Sequence, residues 1–91
     1  EWEEALAIFD EVITLCFNTN NKYTASVALT LKATVLCEQK CFAEAEKNAS
    51  DSLQIARETN NALREINALM NLGNIYNETG RENEAEVVLL Q

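Results

Sequence analysis

A chain of 91 residues with a net charge of −8, no histidine, no proline and only two glycines leaves few architectures open. The length allows one domain at most and a thin core, burying roughly 60–65% of the unfolded chain's surface. So few turn formers argue against sandwiches and barrels, and a hydrophobic content of 47% argues against disorder. The acidity opposes contact with phosphate backbones and anionic lipid, so neither nucleic acid nor membrane is an expected partner.

The first expected element is a helix over roughly 2–17, with Ala5, Phe9, Val12, Ile13 and Cys16 inward. Thr19-Asn20-Asn21 follows as a turn whose asparagine can cap the next helix, over roughly 22–39. A third helix over roughly 42–58 turns Ala45, Ala49, Leu53 and Ala56 inward. Thr59-Asn60-Asn61 repeats the turn, a fourth helix covers roughly 62–79, and Gly80 suits a left-handed terminator. A fifth helix begins near 82. Links this short imply antiparallel neighbours. Glu1, Glu3 and Glu4, then Glu44 and Glu46, then Glu82, Glu84 and Glu86 open helices, where negative charge suits the helix dipole.

Cys16, Cys37 and Cys41 form no disulfide framework, and free thiols imply a reducing compartment, cytosol or nucleus, with a cytoplasmic location expected. Without histidine, Cys37 and Cys41 read as packing residues rather than metal ligands, so no metal or cofactor is expected. Asn48-Ala49-Ser50 and Asn77-Glu78-Thr79 match the glycosylation sequon but fall in expected helix, and read as chance. No apolar run approaches membrane-spanning length. The chain starts at Glu1-Trp2 and stops at Gln91 inside an apolar run. It therefore reads as a piece of a longer protein, with self-association expected through its uncovered C-terminal end.

Displacing the sequence by forty positions aligns Glu4-Ala5, Glu44-Ala45 and Glu84-Ala85. It also aligns Thr19-Asn20-Asn21 with Thr59-Asn60-Asn61, Ala28-Leu29 with Ala68-Leu69, Ala33 with Gly73, and Trp2 with Phe42. Such a period marks a solenoid. Leu69, Leu72-Gly73, Tyr76, Gly80, Ala85 and Leu89 resemble the tetratricopeptide repeat, as do Leu29, Ala33, Leu36, Phe42, Ala45 and Leu53 in the preceding unit. The forty-residue spacing is similar to the long repeats of kinesin light chains and spindle-orientation adaptors. The resemblance implies an all-α fold, an α-solenoid of antiparallel helix pairs forming part of a right-handed superhelix. Residues 1–91 form one segment: 1–17 is the second helix of a preceding repeat, 22–58 a helix pair, and 62–91 a truncated pair. Small residues at Ala33, Gly73, Ala45 and Ala85 allow the helices of a pair to approach. Trp2 and Phe42 are expected to pack at the start of the second helix of a pair.

Residues 67–80, NALMNLGNIYNETG, hold four asparagines, which form helix poorly. On a wheel of about 100° per residue, Asn67, Asn71, Asn74 and Glu78 share one stripe, opposite Leu69, Leu72 and Tyr76. Two readings compete: a solvated polar face on which asparagine is merely tolerated, and a ladder of amides facing a groove, since an asparagine offers donors and an acceptor that can pair with the backbone of an extended peptide. The resemblance implies that the first helix of each pair lines a concave surface that contacts ligands. Carried over, the facing positions are Asn67, Asn71, Asn74 and Glu78, and in the preceding unit Val27, Leu31, Thr34 and Glu38, with Thr30 and Cys37 beside them. The family's carboxylate clamp also needs lysines and arginines on this face; apart from Arg81 at the edge they are absent from these positions, so chaperone-tail binding of that kind is not expected.

No nucleotide loop, nucleophile elbow or metal-ligand cluster appears, so an enzyme is not expected. The leading expectation is a protein-interaction module that binds a partner peptide in the groove. The alternatives are an architectural spacer in a longer helical scaffold and the repeat domain of a ligand-sensing regulator.

Overall fold

The computed structural model describes residues 1–90, with the backbone alone for Glu82 and Leu89. The expectations for the Leu89 side chain and for Gln91 lie outside the described residues. The helices are α1 (Trp2–Asn18), α2 (Lys22–Glu38), α3 (Phe42–Glu58), α4 (Ala62–Glu78) and α5 (Glu82–Leu89). Their ends fall within one residue of the periodicity reading.

One turn design joins them. Asn20, Lys40, Asn60 and Gly80 take positive φ, at 58°, 65°, 53° and 77°. After each, an N–H reaches back to a carbonyl of the last helical turn: Asn21 to Cys16 at 2.7 Å, Cys41 to Leu36 at 2.8 Å, Asn61 to Ala56 at 2.9 Å, and Arg81 to Tyr76 at 2.7 Å. These are Schellman closures, which satisfy carbonyls that a helix end leaves open. Thr19, Thr59 and Thr79 add hydroxyl donation to the carbonyls of Leu15, Ile55 and Ile75, at 2.8, 2.8 and 2.9 Å. Asn21 and Asn61 then cap α2 and α4, accepting from the N–H of Thr24 and Arg64.

Because each turn reverses the chain in the same way, consecutive helices pack side by side, and α2 also meets α4. The result spans 37 × 33 × 15 Å between Cα atoms. Alanines permit this close stacking. Ala33, Ala45 and Ala49 are fully buried with Leu36, Leu72 and Ile75, while Leu6, Phe42, Leu53 and Tyr76 pack around them. A smaller cluster joins Cys16, Ala25, Leu29 and Ile55. Trp2 departs from its expectation. It is 41% exposed, whereas Phe42, forty positions on, packs against the main core. The difference is one of neighbours: Phe42 lies within the α2–α3–α4 stack, whereas among the described residues the backbone of α1 runs close to that of α2 alone. Lys32 lays its stem along the structure and pairs its ammonium with Asp10 at 2.6 Å.

Candidate functional site

The α2–α4 contact leaves a groove along the face away from the core. Its main cavity, about 470 Å³, is lined by Val27, Thr30, Leu31 and Thr34 of α2 and by Arg64, Asn67, Met70, Asn71, Asn74 and Asn77 of α4. An adjoining cavity of about 290 Å³ is lined by Thr34, Cys37, Glu38, Lys40, Asn71, Asn74 and Glu78. Thr34, Asn71 and Asn74 belong to both, so the two form one continuous groove. Every site residue expected from the sequence lies on it: Asn67, Asn71, Asn74, Thr30, Leu31 and Thr34 in the larger part, Glu38 and Glu78 in the smaller.

The asparagines are not equivalent. Asn71 Nδ2 donates to the Thr30 carbonyl at 3.4 Å and to Thr34 Oγ1 at 3.3 Å, tying α4 to α2. Among the described residues, Asn67 and Asn74 make no side-chain hydrogen bond, and both line the cavity. Their amides stay open to a ligand.

The basic residues of this face also differ from expectation. Arg81 does not line the groove. It pairs through Nη2 with Glu46 Oε1 at 2.6 Å and lies 4.5 Å from the centroid of the Tyr76 ring, on the α3 side of α4. Burial pushes the Tyr76 phenol up, and the adjacent Glu46 carboxylate adds to the shift. Arg64, which the sequence reading passed over, lines the groove instead. It is 7% exposed. Its Nη2 donates to Thr30 Oγ1 at 2.6 Å and to the Ser26 carbonyl at 3.3 Å, and its Nε to Ser26 Oγ at 3.3 Å. Ser26 is itself held by Ser52, with the two hydroxyl oxygens 2.8 Å apart. The signal was present: positions 64, 67, 71, 74 and 78 share one helical stripe, and Arg64 heads it.

At the other end of the groove, burial pushes the Cys37 thiol up, and Glu78 adds to that shift with a smaller effect from Glu38, opposed by Lys40. Cys16, Cys37 and Cys41 are all free. Among the described residues no group of cysteine and acidic side chains is placed to hold a metal ion. No described helix is long and apolar enough to cross a membrane.

A further cavity, also about 470 Å³, opens between α1 and α3 over Leu29 and Lys32. Its acids are satisfied locally: Asp10 by Lys32 at 2.6 Å, Asp51 by Lys47 at 3.1 Å, and Glu58 by Lys22 at 4.0 Å. The α2–α4 groove, with amides and a cation left open, is the better candidate.

Four evenly spaced turns, paired helices and small residues at the helix contacts define a helical-repeat protein. Residues 23–91 match the family model for the tetratricopeptide repeat, and the chain belongs to that family. Comparison with curated proteins and with solved structures gives no match. Tetratricopeptide repeats are typically non-catalytic modules that mediate protein–protein interaction.

Proposed function

We propose that the groove between α2 and α4 binds an extended segment of a partner protein, with Asn67 and Asn74 pairing to its backbone. The observation that carries this reading is the pair of uncommitted amides on the groove wall, on a helix whose stability they lower. Asn67 to Asn74 covers two helical turns, about 10 Å, which matches about three residues of extended chain. Val27, Leu31 and Met70 beside them supply apolar contact. Such a ladder reads main chain and leaves selectivity to the flanking side chains.

The alternative, a spacer within a longer scaffold, draws support from Asn71, whose amide joins two helices rather than facing a ligand. Panning a displayed library of random peptides against the 91-residue chain separates the two. A binding groove enriches peptides that the Asn67→Ala, Asn74→Ala double variant no longer retains. A spacer enriches none, or peptides indifferent to that variant.

A further inference from the structure

Arg64 is nine-tenths buried and lines the groove. A guanidinium carries five N–H donors. Nε and Nη2 use three of them on Ser26 and Thr30, which leaves both N–H groups of Nη1 without a partner among the described residues. No carboxylate pairs with Arg64 there either. No buried side-chain nitrogen is left without a partner among the described residues, so Nη1 opens to the groove while the rest of the cation is enclosed, and an anion entering the groove meets it there. The hydroxyls that hold it are neutral and fix its orientation, because Ser52 also donates to the Ser26 carbonyl at 3.0 Å. A carboxylate entering the groove would gain charge-assisted hydrogen bonds, shorter and about twice as strong as neutral ones.

The opposite end has the opposite charge. Glu38 and Glu78 line it, against Lys40 alone. Among the described residues neither glutamate has an ion-pair partner. From Arg64 to Glu78 is about 21 Å along α4, at 1.5 Å per residue. An extended chain covers that span in about six residues. Resting on the groove reading above, we propose that the bound segment is zwitterionic: an Asp or Glu side chain sits on Arg64, and a Lys or Arg side chain about six residues away lies between Glu38 and Glu78. The two ends thereby set the register of a segment that the asparagines alone would let slide.

The same panning tests this, because the enriched sequences can be read for charge. Enriched peptides should carry an acid and a base about six residues apart. Changing that acid to its amide should weaken binding to the unaltered chain at least about tenfold, a loss typical of a charge-assisted bond. Arg64→Gln should cost as much with the acidic peptide and almost nothing with the amide peptide. Glu38→Gln with Glu78→Gln should do the same for the peptide's base. The peptide-side substitution reads out even if Arg64→Gln fails to fold. Groove peptides that need Asn67 and Asn74 but show no charge preference overturn this inference and leave the groove standing. Peptides indifferent to the asparagines, or none at all, overturn both.

Discussion

Arg64 on α4 donates to the Thr30 hydroxyl on α2 at 2.6 Å, and no carboxylate neutralises it among the described residues. The two partners should therefore respond unequally to substitution. Thr30→Val removes an acceptor and leaves the buried cation less satisfied, at a cost of about 1.5–3 kcal/mol. Arg64→Met removes the cation itself. Ser26 and Ser52 still bond to each other, and Thr30 still donates to the Val27 carbonyl at 2.8 Å, so few groups are orphaned. That variant should unfold within about 1 kcal/mol of the parent, or above it. Urea melts of both variants check the order, and a larger loss from Arg64→Met would mean that its packing outweighs its charge.

The asparagines make a second test of divided roles. Asn67→Ala and Asn74→Ala should each gain up to about 0.7 kcal/mol from helix propensity, having no bond to lose. Asn71→Ala gains the same propensity but gives up its interhelical bonds, worth about 0.5–1.5 kcal/mol, and should come out level or lower. Three single-variant melts suffice. A stability gain at Asn71 equal to that at the other two would show that its contacts to Thr30 and Thr34 contribute nothing.

What the sequence made legible was whatever depends on local chemistry. Apolar period placed the helices, Asn21 and Asn61 marked two caps, and the stripe of Asn67, Asn71 and Asn74 pointed at the groove. What it hid depends on distant partners. On a wheel, Arg64 reads as a solvated charge. Its burial follows from Ser26 and Thr30, which come from another helix. Asn71 differs from Asn67 for the same reason. Arg81 looked available to the groove until Glu46 and Tyr76, on the other side of α4, proved to hold it. Ser26 and Ser52 are small and polar, and their burial is explained by partners on other helices: each other, and for Ser26 also Arg64.

Ala45 tests the helix register. It is fully buried in the main core, whereas Ala7 is exposed on α1. Ala45→Leu should force α3 away from its neighbours and cost about 1–3 kcal/mol by overpacking. Ala7→Leu should change stability by less than about 0.5 kcal/mol, as for an ordinary surface position. Denaturant midpoints for the pair decide it, and similar losses at the two sites would contradict the packing described.

The Cys37 thiol, raised by burial and by Glu78, should remain protonated as pH climbs through the usual thiol range. Thiolate is the reactive form, so iodoacetamide should label Cys37 more slowly than a free cysteine peptide at pH about 8.5. Glu78→Gln removes one raising influence and should speed the labelling. Peptide mapping over a pH series follows the site directly. Labelling of Cys37 as fast as the reference peptide would mean that its surroundings do not shift it.

Lys40 carries the last test, on the turns themselves. It shares its left-handed conformation with Asn20, Asn60 and Gly80, at a φ of 65°. Asparagine and glycine enter that region readily, whereas a lysine Cβ crowds the following carbonyl, at about 1–2 kcal/mol. Nothing at this position compensates through the side chain, since Lys40 forms no ion pair among the described residues. Lys40→Gly should relieve the crowding. Glycine's freer unfolded chain takes back about 0.5–1 kcal/mol, leaving a net gain of about 0.5–1 kcal/mol. The same residue change inside a helix has the opposite sign: Ala7→Gly should lose about 1 kcal/mol. Opposite signs from the two glycines, read by thermal melts under one condition, would follow from backbone geometry alone. A loss at Lys40 would mean that the lysine stabilises the turn by something other than its conformation.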